Sequence, residues 1–172
     1  MSEEGKETIF ETSDLSLAAW MCMNEVNLLS HKPRGDGQND FFFDDSEDQC
    51  QSLETSFVNS EVQEFDYKVK ELKDFSHGPG ARIKKCGDRV FKTDNVNLAA
   101  WLCMRGMNLV KYSSNGYGQV DFFFDDSQGK CDPLRMEFSR SDAQRFSFKV
   151  KALKKLSFGS RANRRYKNRK ST

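Results

Sequence analysis

Histidine and proline are scarce in this chain, with two and three copies among 172 residues. His31 and His77 stand far apart, and no Cys-x-x-Cys pair occurs, so no zinc-type ligand set is on offer. There is no P-loop, no dinucleotide-binding glycine fingerprint and no nucleophile elbow. The expectation is a non-enzymatic protein with no catalytic residue, no metal and no cofactor. No apolar run approaches the roughly 20 residues of a membrane-spanning helix, which argues against a membrane partner. The acidic opening MSEEGKET lacks the apolar stretch of a secretion leader. With an odd count of five cysteines, this points to reduced thiols and a cytoplasmic setting.

What the chain does contain is a duplication. Asp40-Phe41-Phe42-Phe43-Asp44-Asp45-Ser46 returns 81 residues later as Asp121-Phe122-Phe123-Phe124-Asp125-Asp126-Ser127. The same shift lays Leu17-Ala18-Ala19-Trp20 on Leu98-Ala99-Ala100-Trp101, Cys22 on Cys103, Cys50 on Cys131 and Lys68-Val69-Lys70 on Lys149-Val150-Lys151. No gap is needed between Phe10 and Ser76, so the chain is a tandem repeat. The repeats span 9–76 and 90–158. A polar lead-in, 1–8, precedes them, and a Gly-Pro-Gly-containing basic linker, 77–89, separates them. A tail, 159–172, follows. Lead-in and tail are expected to be disordered when free.

Within each repeat the pattern reads as α+β. A short extended piece comes first, Ile9–Thr12 or Val90–Thr93. Asp14 and Asn95 are in place to cap a helix over about 15–24 and 96–105. Two strands follow, 26–29 with 40–44 and 107–112 with 119–125. The second connection carries Asn115-Gly116, a strong turn signal. Arg34-Gly35-Asp36 in the first loop is turn chemistry rather than an adhesion motif. A closing helix starts at Ser60 or Ser141. Its apolar stripe is Val62, Phe65, Val69 and Leu72, or Ala143, Phe146, Val150 and Leu153. Each unit should be a β-hairpin or small antiparallel sheet packed by two to three helices. Alternation along the strand sends Phe41, Phe43, Phe122 and Phe124 to the core. It leaves Phe42 and Phe123 on the other, polar face, where the expectation is cover at an interface between repeats, the alternative being an exposed stacking surface. Asp44-Asp45 and Asp125-Asp126 read as caps of the next turn, with a hard-cation site as the alternative.

Charge is split unevenly. Residues 1–80 hold 18 Asp+Glu and 6 Lys+Arg, a net of −12, and residues 81–172 hold 8 and 21, a net of +13. The tail carries Arg161, Arg164, Arg165, Lys167, Arg169 and Lys170 around Tyr166, with no acidic residue. Cations with one aromatic suit phosphate contacts and base stacking.

The assembled unit resembles an uncharacterised domain family, DUF5659. The shared features, in order, are the Leu-Ala-Ala-Trp helix, the Asn-Leu strand, the Phe-x-Phe-Asp-Asp strand and the closing Val-Lys-x-Leu-Lys helix. The resemblance covers both repeats and departs from the family by duplication, by the acidic first half and by the basic tail. It implies a cytosolic bacterial or phage-infected setting and no known activity. Two functions are expected on the residues. One is DNA or RNA binding through the basic second repeat and the tail residues just named. The other is self-association or protein–protein assembly through oppositely charged repeats.

Overall fold

The computed structural model describes residues 8–34, 38–74, 89–114 and 119–168, with side chains to position 156. The order of elements is β1 (Ile9–Thr12), α1 (Leu15–Met23), β2 (Leu28–Pro33), β3 (Asn39–Asp44), α2 (Cys50–Val58) and α3 (Glu61–Asp74). The second repeat follows with β4 (Val90–Thr93), α4 (Val96–Met104), β5 (Leu109–Ser114), β6 (Val120–Asp125), α5 (Cys131–Phe138) and α6 (Asp142–Asn168). The fold is α+β, with a small antiparallel sheet in each repeat.

Each sheet has three strands rather than a hairpin alone. The orders are β1-β3-β2 and β4-β6-β5, so the Phe-rich strand lies in the middle. Ile9–Thr12 pairs antiparallel with β3, with Glu11 opposite Phe42, and Val90–Thr93 pairs with β6, with Lys92 opposite Phe123. The sequence marks these four-residue pieces as extended. Only the outer edge of the hairpin supplies a partner for their backbone groups.

The strand phase is as the alternation predicts. Phe41, Phe43, Phe122 and Phe124 are buried at 1 % exposure or less, and Phe65, Leu72, Phe146 and Leu153 are buried with them. The first helix of each repeat begins as expected: Asp14 Oδ1 accepts from the Ser16 amide at 2.7 Å, and Asn95 Oδ1 accepts from the Asn97 amide at 3.1 Å. Its end differs between the copies. Gly106 takes φ +77, whereas Glu25 takes φ +65 at the same place in the first copy. A left-handed backbone crowds Cβ against the carbonyl, which glycine escapes. Glu25→Gly is expected to raise stability by about 1 kcal/mol. Asp48→Gly should raise it less, although Asp48 (φ 53) matches Gly129 in the same way, because Asp tolerates this region better. Equal or absent shifts in thermal midpoint would contradict that ranking.

The compact units do not follow the repeat boundaries 9–76 and 90–158. One unit consists of Met1–Ser60 with Arg145–Thr172, and the other of Glu61–Gln144. Each sheet is thus closed by the helix of the opposite repeat. Aromatic rows show it directly. In the first unit Trp20, Phe57 and Phe146 follow one another at 5.9 and 6.3 Å between ring centroids. In the second, Trp101, Phe138 and Phe65 do so at 5.8 and 6.0 Å. The third ring in each row comes from the other copy's closing helix. The stripes of α3 and α6 are nearly the same, so shape alone admits either helix to either core. Charge distinguishes them. The first unit has 13 Asp+Glu and 14 Lys+Arg, and the second has 13 of each, so nets of −12 and +13 become +1 and 0.

The end of the chain also departs from expectation. Sequence reading ends the last helix near Phe158 and leaves 159–172 disordered. The backbone instead stays helical to Asn168. Arg, Ala and Lys are good helix formers, a single Gly159 costs only about 1 kcal/mol, and extending a helix avoids a new nucleation step. Positions 1–7 of the lead-in, the stretch from 75 to 88, the Arg34-Gly35-Asp36 turn beyond Arg34, the Asn115-Gly116 turn and positions 169–172 lie outside the described residues, while Thr8, the last residue of the lead-in, accepts from the Asp45 amide at 2.8 Å.

Candidate nucleic-acid interface

The site begins at the start of α6. Ser141 Oγ accepts a hydrogen bond from the Gln144 amide at 3.2 Å, and Asp142 sits in the first turn, where the helix dipole favours an anion. Asp142 is the last acidic residue of the chain; 11 Lys+Arg lie beyond it. Phe146 and Leu153 anchor one face of α6 in the core. Arg145, Lys149, Lys151, Lys154 and Lys155 are exposed around them. Among the described residues, Lys149, Lys151, Lys154 and Lys155 have no carboxylate within 4 Å. Phe148 stands among these cations and is 59 % exposed. Twenty-seven residues make a helix about 40 Å long. Arg161, Arg164, Arg165, Tyr166 and Lys167 belong to its backbone, and their side chains lie outside the description, as do Arg169 and Lys170 altogether.

The sequence points to the basic second repeat and the tail, with the individual contact residues all after Phe158. Within the basic second repeat it names no individual contact residue, and so does not single out Lys149, Lys151, Lys154 and Lys155 of α6. The overlooked signal is the absence of any acid after Asp142.

Phe42 and Phe123 are half-buried rather than fully covered. Each is in the middle strand of its sheet, on the face turned away from the core. Phe42 has Glu11 and Ser30 opposite it. Phe123 has Lys92 and Lys111, whose ammonium nitrogens each lie 5.7 Å from the ring centroid.

The recurrent aspartate pairs build turns. Asp44 Oδ1 accepts from the Ser46 amide at 3.0 Å, and Asp125 Oδ1 from the Ser127 amide at 3.0 Å. The second aspartate reaches inward. Asp45 Oδ1 accepts from the Gln49 and Cys50 amides, both at 2.9 Å. Asp126 accepts from the Cys131 amide at 2.9 Å and pairs with Arg89 at 3.1 Å. Among the described residues no group of three His, Cys, Asp or Glu side chains gathers to hold a metal.

The same aspartates govern the buried thiols. Burial, followed by the Asp45 carboxylate, pushes Cys50 up to about 12, and burial with Asp126 does the same to Cys131. Burial raises Cys103 to about 11, with Lys68 opposing. These thiols are poor nucleophiles at neutral pH. The unfolded chain loses its thiol protons near the ordinary value of 9.0, before the folded chain does. Their contribution to stability is therefore whole below about 9 and is lost as pH rises towards 12. The urea midpoint is expected to fall across that window, and to fall less in a Cys50→Ala/Cys131→Ala variant. A variant that tracks the wild type would remove the thiols from the account.

The two tryptophans differ in burial: in the second copy Trp101 is 1 % exposed under the Arg105 guanidinium, 3.8 Å from its ring. Arg105 is held by Glu61 of α3 at 2.5 Å and Glu137 of α5 at 3.1 Å. In the first copy Asn24 takes the place of Arg105, and Trp20 Nε1 donates to the Leu53 carbonyl at 3.1 Å. No helix is long and apolar enough to cross a membrane among the described residues. No family model, curated protein or solved structure matches this chain.

Proposed function

We propose that this is a non-enzymatic nucleic-acid-associated protein that holds the phosphate backbone along α6 and its C-terminal continuation. One observation carries the reading. A single 27-residue helix, without an acid after its first residue, is anchored on one face and presents lysines and Phe148 on the others. Cations in a row neutralise successive phosphates and release condensed counterions, and an exposed ring adds stacking. The cytosol of a bacterium or virus-infected cell, implied by the DUF5659 resemblance, is the setting proposed for it.

The test is a titration of labelled DNA and RNA at two or more salt concentrations. Five or six phosphate contacts on a single strand give a log–log salt slope of about −4. Removing 159–172 takes away six cations and no anion, lowering the net charge from +1 to −5. Affinity is expected to drop sharply and the slope to flatten, with the thermal midpoint unchanged. Absence of binding at low salt, together with a lower midpoint after truncation, would end this reading.

A second reading rests on the near-neutral units. Oppositely charged repeats that exchange closing helices within one chain have the complementarity of an assembly module. It predicts salt-sensitive self-association in sedimentation without retention of nucleic acid.

A further inference from the structure

We infer that the outer face of the second sheet is a stacking platform for single-stranded nucleic acid, with Phe123 under a base and Lys92 and Lys111 on the flanking phosphates. The inference rests on the nucleic-acid reading above and adds to it a second contact surface and a strand preference.

The platform follows from register. Phe123 is in the central strand β6, and Lys92 of β4 and Lys111 of β5 pair with it from either side. A central position on an antiparallel sheet makes the ring a fixed, flat and half-exposed surface. At 5.7 Å from the centroid, both ammonium groups are at the outer limit of a cation–π contact and flank the ring rather than cap it closely. Lys92 is 57 % exposed. Val90, 49 % exposed on the same face, extends the apolar ground beside the ring. The two carboxylates on this face are engaged. Asp121 pairs with Lys92 at 2.8 Å, and Asp125 accepts from the Ser127 amide and hydroxyl. A ring with a cation on each side matches the repeating unit of a single strand, a base with a phosphate on each side. A duplex keeps its bases stacked and cannot use the ring, which sets the preference.

The first repeat is an internal control. Its sheet has the same order and register, and Phe42 occupies the place of Phe123. Glu11 stands where Lys92 does and Ser30 where Lys111 does. Asp40 and Asp44 share the strand. Its cations, Lys32 opposite Asp40 and Arg34 at 3.5 Å from the Asp40 carboxylate, lie at the far end of the strand, so the ring of Phe42 has Glu11 and Ser30 beside it and no cation on either flank.

The test is fluorescence anisotropy of the full chain with three labelled probes: oligothymidylate, an abasic strand of equal length and a duplex. Phe123→Ala is expected to weaken oligothymidylate binding about tenfold, within the range one stacked base supplies, and to leave the other two probes unchanged. Phe123→Leu keeps the apolar contact without the ring and should give the same result, and urea midpoints near that of the wild type exclude unfolding as the cause. Phe42→Ala should change none of the three. Installing the first repeat's residues, Lys92→Glu with Lys111→Ser, should flatten the single-strand salt slope by at least about 1.4, two contacts at about 0.7 each. Equal losses from Phe123→Ala and Phe42→Ala would overturn the platform. So would undiminished oligothymidylate binding by both Phe123 variants when Lys151→Glu/Lys154→Glu/Lys155→Glu abolishes it, a result that leaves the α6 reading standing. Failure of the wild type to bind any probe would remove both.

Discussion

Phe124→Ala is expected to lower the unfolding free energy by about 3–5 kcal/mol, read as a shift of the urea midpoint at constant slope. Phe124 is wholly buried in the central strand, paired with Phe91 on one side and Leu109 on the other. Truncation removes the ring from a close-packed interior whose strand neighbours are held by the ladder and cannot fill the space. Phe123, one residue earlier, is half-exposed on the opposite face, so Phe123→Ala should cost less than about 1.5 kcal/mol. The contrast between adjacent residues of one type is the informative measurement. Similar losses at both positions would show that the sheet is covered on both faces and that the phase argument has no energetic content.

Asp126→Ala is expected to cost about 2–4 kcal/mol. Its carboxylate is 1 % exposed, accepts the Cys131 amide at the start of α5 and binds Arg89. Alanine leaves a buried amide without an acceptor and leaves Arg89 with only the exposed Asp132 carboxylate, at 3.8 Å. Asp126→Asn retains an acceptor oxygen for the amide while giving up the charge, and should cost roughly half as much. The exposed partner, Arg89, is replaceable at lower cost, because water already solvates most of its side chain. If Arg89→Ala were as damaging as Asp126→Ala, the ion pair rather than the helix-start hydrogen bond would be the main contribution.

These two sites show how much of the fold is legible in the chain. The run Phe122-Phe123-Phe124 has no alternation of polarity of its own. Its phase is readable only because Asp121 and Asp125 bracket it at the spacing that puts them on the face of Phe123. The aspartate that follows, Asp126, reads as a turn former. That it turns inward to hold the next helix is set by burial and by a distant arginine, neither of which is a local property. The platform around Phe123 is less legible still. Lys92, Lys111 and Phe123 belong to three separate strands, and only the pairing of Val90–Thr93 with β6 brings the first of them to the ring.

The duplication, the α+β class, the buried set of phenylalanines and the capping positions were determined by the sequence itself. They follow from periodicity and local hydrogen-bonding chemistry, which act over a few residues. Two features were decided by tertiary structure alone. One is the edge strand in each sheet, since an extended tetrapeptide has no partner until the hairpin offers its free edge. The other is which closing helix completes which unit. Val62, Phe65, Val69 and Leu72 make nearly the same stripe as Ala143, Phe146, Val150 and Leu153, so local pattern cannot choose between them. The choice falls to what the whole surface supplies: Arg105 receiving Glu61, Phe138 receiving Phe65, and an acidic and a basic repeat each made nearly neutral by the other's helix.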